Sequence, residues 1–207
     1  MGRRQGYSDS TRRALLDVAE ELFAEHGYAA TSLDAIAAGA EVSKGALYHH
    51  FSGKQAIFEA AVERVGSRAA DAIAGAATDA TDPWVRAEAG LRGFLAVVQQ
   101  PGYHQVVVVD GPAALGHDRF RDQEQRSTYA VLDPLVRAAL TSGQGDLEPA
   151  MLDTFTRALF GAVSAAGGSV AVSEDPGAAG ERAGTAIGVL LAGLRTMLEP
   201  GTGPAER

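Results

Sequence analysis

Residues Glu41–Phe51 read EVSKGALYHHF, which puts a serine, a lysine, a glycine, a tyrosine and two histidines within eleven positions. Such a cluster could serve catalysis, metal binding or contact with another molecule. Adjacent His49 and His50 would point about 100° apart on a helix, so they cannot share one ligand on one face. The i, i+4 pair of the H-E-x-x-H zinc helix is absent. Ser52–Gln55 (SGKQ) only hints at a phosphate loop, because Tyr48 and Gln55 stand where that motif needs glycine and Ser or Thr. Ser164, in GAVSAAG, has its glycines one residue too far out for a nucleophile elbow. The chain has no cysteine, which removes disulfides, thiolate metal sites and a cysteine nucleophile. The expectation is a protein that is not an enzyme, with no metal site and no cofactor.

The elements that carry this stretch read as helices. Leu15, Val18, Ala19, Leu22 and Phe23 recur at helical spacing, with Ser8, Asp9 and Ser10 as candidate caps and Gly27 as the stop. A short helix fits Leu33–Gly39 behind the cap Ser32, a third runs from about Ser43 to His50, and a fourth starts near Lys54. The third buries Leu47 and Phe51 at i, i+4 and leaves Ser43, Lys44, Ala46, Tyr48 and His49 outside or at the rim. Two short helices joined by AEV, the second rich in exposed donors, form a helix-turn-helix pattern. At ~1.5 Å per residue the second is about 12 Å long, matching the ~12 Å width of the DNA major groove. Its N-terminus offers free N–H groups, Gly45 lets backbone approach closely, Lys44 reaches base acceptors, and Tyr48, His49 and Lys54 suit phosphates. Any one of these residues alone reads as ordinary surface; the cluster carries the inference. His50 reads equally as a structural histidine or a contact.

Charge neither adds to this nor excludes it. The net charge is −8, and residues 1–66 hold seven Lys and Arg against nine Asp and Glu. Nonspecific nucleic-acid binding is thereby disfavoured, while a local basic face around Arg3, Arg4, Arg12, Arg13, Lys44 and Lys54 stays open.

The segment TSLDAIAAGAEVSKGALYHHFSGKQAIF (Thr31–Phe58) closely resembles the signature of TetR-family transcriptional regulators, T-x-x-x-I-A-x-x-A-x-V-S-x-G-x-L-Y-x-H-F-x-x-K. Thr31 sits one place early, with Ser32 available in its stead. The resemblance covers roughly residues 8–65. It implies an all-α fold of about nine helices, a helix-turn-helix domain over 1–66 and a ligand-binding and dimerisation domain over 67–200. It also implies a homodimeric one-component repressor of a palindromic operator, released by a small molecule. Carried onto this chain, the DNA face is Thr31, Ser32, Ser43, Lys44, Gly45, Ala46, Tyr48, His49 and Lys54. Activation, response to a protein partner, or ligand binding without a DNA role are the alternatives.

Past GAATDATDP (Gly75–Pro83) the pattern remains helical. QVVVVDGPAALG (Gln105–Gly116) looks strand-like but is isolated, and reads as a short buried helix followed by a loop at Gly111–Pro112. A long helix over about Asp118–Leu140 would kink or split at Pro134. The last two helices, about 149–172 and 177–198, carry Gly161, Ala165, Gly168, Gly184, Gly188 and Gly193, small residues that suit a close-packed dimer interface. Candidate effector contacts are Phe94, Val98, Tyr103, His104, Phe120, Tyr129, Phe155, Phe160 and Arg157, each also readable as plain core or, for Arg157, as an ion pair. Their surroundings point to a lipophilic or aromatic effector. No run reaches the ~20 apolar residues of a membrane span and no apolar segment follows the basic start, so a cytoplasmic location is expected. The tail 201–207 is expected to be disordered.

Overall fold

The computed structural model describes residues 2–77, 80–143 and 147–198, with side chains from Ser8 onward. Among these residues the fold is all-α. The helices are α1 (Gly2–Ala30), α2 (Leu33–Gly39), α3 (Lys44–His50), α4 (Lys54–Ala76), α5 (Pro83–Val98) and α6 (Pro101–Tyr103). A π-helical stretch (His104–Val109) follows, then α7 (Asp110–Leu115), α8 (His117–Arg126), α9 (Thr128–Leu140), α10 (Pro149–Ala171) and α11 (Pro176–Leu198). The expected disordered tail lies outside the described residues, as do the side chains of Arg3 and Arg4.

The chain forms two compact units. One takes the chain up to Ser67 together with Pro101–Gln123, and the other takes Arg68–Gln100 with everything from Glu124 onward. Pro101–Gln123 therefore packs with the N-terminal helices, although it lies in the stretch the sequence assigns to effector binding.

In the first unit α1 buries Leu15, Leu16, Ala19 and Phe23, with α4 contributing Ile57, Phe58, Ala61 and Val62. Each of the Leu, Ile, Val and Phe side chains among them stabilises by roughly 1.5–3 kcal/mol when fully buried. Phe23 and Phe58 meet edge to face at 5.0 Å, and Tyr28 lies 4.7 Å from Phe58. Ser8, Asp9 and Ser10 do not cap α1, which begins at Gly2. Gly27 does break it, with φ 77° and ψ 168°, a conformation that glycine adopts without strain. The freed Tyr28 N–H donates to the Asp110 carboxylate at 2.8 Å, and Gln105 Nε2 donates to the same oxygen at 3.0 Å. A Cβ on Gly27 would sit 3.2 Å from Gln105 Nε2 and 3.3 Å from that oxygen. Gln55 Nε2 on α4 donates to the Ala114 carbonyl at 2.8 Å.

Two expectations fail here for local reasons. Gly111 and Pro112 are not a loop: the helix continues through them to Leu115. Gly111 leaves room for the Phe120 ring, which lies 2.7 Å from where a Cβ would stand. The helix over Asp118–Leu140 divides at Ser127 (φ −117°, ψ −107°) and not at Pro134, which sits inside α9. Pro134 and Ala130 are both exposed, so water can satisfy the carbonyl that Pro134 leaves without a donor.

The second unit is built on α5, which contacts α9, α10 and α11. Asp82 caps it by accepting from the Trp84 N–H at 2.7 Å, and Pro83 occupies the first turn. Trp84, Ala87, Leu91, Phe94, Leu95 and Val98 are buried. Gly90 admits the Leu135 side chain and Gly167 that of Val98, at 2.7 and 2.6 Å from the positions a Cβ would take. Gly184 and Gly188, expected at a dimer interface, instead face the Arg92 guanidinium within the subunit. Gly161 and Gly193 have nothing within 4 Å.

Candidate nucleic-acid interface

The turn between α2 and α3 fixes the geometry of the cluster. Glu41 adopts φ 55°, its N–H donates to the Ala38 carbonyl at 3.1 Å, and the Val42 N–H donates to Ala37 at 3.0 Å. That is a Schellman motif with glutamate in the place usually held by glycine. Each of the two helices is capped by a serine: Ser32 accepts from the Ala35 N–H at 3.1 Å, and Ser43 from the Ala46 N–H at 3.2 Å. Leu47, 1% exposed, anchors α3 from beneath, and Phe51 closes it.

This anchoring leaves one face of α3 outward. Ser43, Lys44, Gly45, Tyr48 and His49 are exposed and Ala46 is half-buried. Tyr48 is 58% exposed, an unusual position for a large aromatic side chain. At Gly45 the nearest atom to an added Cβ is Ser43 Oγ at 3.9 Å. Nothing in the free chain needs a glycine there, and the open space is on the outside. Lys44 Nζ donates to Asp34 Oδ2 on α2 at 2.7 Å; that bond, with the charge of Asp34, raises the Lys44 pKa above its ordinary value. His49 and His50 stack edge to face at 5.3 Å, and His50 is half-buried. Among the described residues no three His, Cys, Asp or Glu side chains form a metal-holding group.

Two expected contacts have other work. Thr31 is 4% exposed, and its hydroxyl donates to the carbonyls of Gly27 at 2.9 Å and Leu22 at 3.1 Å. It ties the end of α1, so Ser32 is the residue that fills the signature position at the surface. Lys54 Nζ donates to the Ala29 carbonyl at 3.1 Å and lies 4.5 Å from the Tyr28 ring centre. It clamps α4 to the end of α1 before it touches anything else. Sequence spacing could not reveal either role, because each depends on the Gly27 break.

The shape is that of a short exposed helix on a three-helix base, and comparison with known proteins decides what it belongs to. Residues 15–61 match the model of bacterial regulatory proteins of the TetR family, and residues 84–194 match the tetracyclin repressor-like C-terminal domain. The chain belongs to the TetR family. Proteins of this family are bacterial regulatory proteins. The HTH-type transcriptional repressor KstR2 of Mycobacterium tuberculosis is 46% identical over 55 residues, 27% of this chain and 28% of its own. The activator FasR of Mycolicibacterium smegmatis is 34% identical over 91 residues, 44% of this chain and 42% of its own. The chain thus spans well under half the length of the curated relatives it matches. A TetR-family regulator from Pectobacterium atrosepticum, known by crystal structure, aligns over 94% of this chain and 97% of its own, with 28% identity and a TM-score of 0.70.

The expected effector residues are divided between the two units. Tyr103, His104 and Phe120 lie in the first unit, whereas Phe94, Val98, Tyr129, Phe155 and Arg157 lie in the second. Within the second unit Phe94 stacks on Phe160 at 4.8 Å, Tyr129 meets Phe160 edge to face at 5.4 Å, and the exposed Arg157 guanidinium covers Tyr129 at 5.4 Å. Burial and the neighbouring Asp133 carboxylate push the Tyr129 phenol up. Val98 is buried against Gly167 as plain core. A cavity of about 110 Å³ between α5 and α11, lined by Trp84, Val85, Glu88, Gly188, Leu191, Ala192 and Arg195, includes none of the expected residues and is below the ~300 Å³ of an ordinary ligand site. No helix among the described residues is long and apolar enough to cross a membrane.

Proposed function

We propose that this TetR-family regulator is a cytoplasmic repressor that binds a palindromic operator as a homodimer, reads it with α3 and is released by a small lipophilic or aromatic effector. The exposed face of α3, with Ser43, Lys44, Gly45, Tyr48 and His49 held outward by buried Leu47, carries the reading. Ser32 and Ser43 place two helix N-termini, with their free N–H groups, beside the phosphates. A dimer places two such helices about 34–36 Å apart, one turn of DNA.

The homodimer reading is supported by what α10 and α11 leave uncovered. Met151, Val172, Val189, Leu190 and Met197 are large apolar side chains exposed on or at the end of these helices, while Ile187 and Leu191 on the same α11 face inward. The open positions of Gly161 and Gly193 permit close approach of a second pair of helices. The effector reading is supported by the Phe94–Phe160–Tyr129 cluster with Arg157 at its edge, an apolar surface with one charged group to orient a ligand. Asp110 supports a route for the signal, since Pro101–Gln123 holds the end of α1 through the Tyr28 N–H, and α4 runs on from Lys54 beyond the first unit. An effector acts by favouring a state with wrongly spaced recognition helices.

Selection from random duplex DNA with wild type and Tyr48→Ala in parallel tests the reading. Enrichment of a palindrome by wild type alone is expected; enrichment of nothing, by protein freed of bound small molecules by refolding, would sink it. Activation at the same operator is the second reading, favoured by the match to the activator FasR. A reporter placed behind the selected operator separates the two by the sign of its change on deleting the regulator.

A further inference from the structure

Lys44 and Asp34 occupy corresponding places, the first turns of α3 and α2. Their 2.7 Å ion pair bridges the two helices on the outer face, with both side chains 66% exposed. The helix ends themselves are satisfied by Ser32 and Ser43, without the pair. Nor does Asp34 depend on Lys44: a carboxylate in the first turn of a helix is favoured by the N-terminal dipole. An exposed pair of this kind exchanges partners readily. Three other cations of this unit have partners of their own. Lys54 holds the Ala29 carbonyl, Arg12 lies 5.2 Å from the Phe51 ring centre, and Arg64 is bound by Asp17 and Glu20. Lys44 is the ammonium at the tip of α3, and its charge is paired with a carboxylate on α2.

We infer that Asp34 is a specificity-determining residue that withholds Lys44 from phosphates on random DNA and yields it where an operator offers a better acceptor. Phosphates are the same on every sequence and supply nearly all nonspecific affinity. A carboxylate at 2.7 Å competes with any single phosphate that Lys44 would meet. A guanine edge presents two acceptors, O6 and N7, in a groove where α3 is already seated, and there the exchange goes forward. Asp34 therefore lowers the affinity for random DNA more than the affinity for the operator. The inference rests on the DNA-binding reading above.

The test is a cycle of wild type, Asp34→Asn, Lys44→Ala and the double variant, with affinities for operator and for random duplex measured across a salt series. Asp34→Asn is expected to raise random-DNA affinity about five- to tenfold near 0.1 M salt and to steepen the log–log salt slope by about 0.9, one added phosphate. Operator affinity rises by less, so the operator-to-random ratio falls. Lys44→Ala cancels the gain in the double variant, while Asp34→Glu keeps the ratio of wild type. An equal gain on both DNAs, or a gain that survives Lys44→Ala, overturns the proposal, since Asp34 would then be only a repelling charge. A DNA-independent arm keeps the two readings apart: Asp34→Asn must shift the Lys44 side-chain NMR signals in the free protein, and no shift means the pair does not form. Failure of wild type to bind any duplex at low salt would remove the DNA reading itself, and this inference with it.

Discussion

The outward face of α3 and the aromatic cluster of the second unit are built in opposite ways. On α3 every exposed donor lies within seven consecutive residues, and one buried leucine sets the direction of all of them. The cluster of Phe94, Tyr129 and Phe160 gathers three helices separated by long stretches of chain. The difference teaches where substitutions act. A side chain on α3 can be removed without touching the core, whereas Phe94, 1% exposed, cannot be changed without a cost in stability.

The sharpest way to break that contrast is within α3 itself. Leu47→Ala removes a fully buried side chain and should cost about 2–5 kcal/mol, with a lower Tm and weak DNA binding together. Tyr48→Ala, next in sequence, should lose DNA binding at unchanged Tm. Thermal melts and binding isotherms on both decide it, and a large fall in Tm for Tyr48→Ala would mean that the exposed face also holds the fold.

A second effect of similar size is expected in the other unit. Leu190→Arg, at a side chain 52% exposed, should convert a dimer to monomer in sedimentation and abolish binding to a palindrome while half-site binding persists weakly. A wild type that sediments as a monomer at micromolar concentration would remove the homodimer reading.

Smaller changes sharpen the account of the head. Thr31→Val buries the same shape without the hydroxyl that donates to Gly27 and Leu22, and should cost about 1 kcal/mol per the usual worth of such a bond, with sequence preference unchanged. Glu41→Gly should gain roughly 0.5–1 kcal/mol, because glycine takes the left-handed φ of 55° without the Cβ clash. Gly45→Ala should leave the fold intact or slightly firmer yet weaken operator binding, since the free space there is on the outside.

The smallest effect is a pH dependence. Asp82 has its pKa lowered, chiefly by the hydrogen bond from the Trp84 N–H and further by Arg195. A depressed folded pKa contributes stability that is present above the unfolded carboxylate value and is lost as pH falls through the folded one. Asp82→Asn should flatten the acid limb of a Tm-against-pH curve, and an unchanged limb would show that the cap survives protonation.

How much of this was legible follows the same division. The helix-turn-helix could be read because its determinants are local: two serine caps, an apolar i, i+4 pair and a three-residue turn. Even there, the Thr31 hydroxyl turns inward to the Gly27 carbonyl and Lys54 Nζ reaches the Ala29 carbonyl, contacts that spacing alone does not show. Asp34 carried no signal at all. Its distance to Lys44 exists only once α2 and α3 are set side by side. The glycines of α11 signalled close packing, but composition could not say against what, and Gly184 and Gly188 face Arg92 of their own subunit.

The sequence by itself determined the helix-turn-helix, its two serine caps and the family, since these depend on residue types a turn or two apart. The docking of Asp110 onto the end of α1 and the aromatic cluster were decided by tertiary structure alone. Each is set by a contact between residues distant along the chain, where hydrogen-bond geometry and packing choose among conformations that local propensity leaves nearly equal in energy.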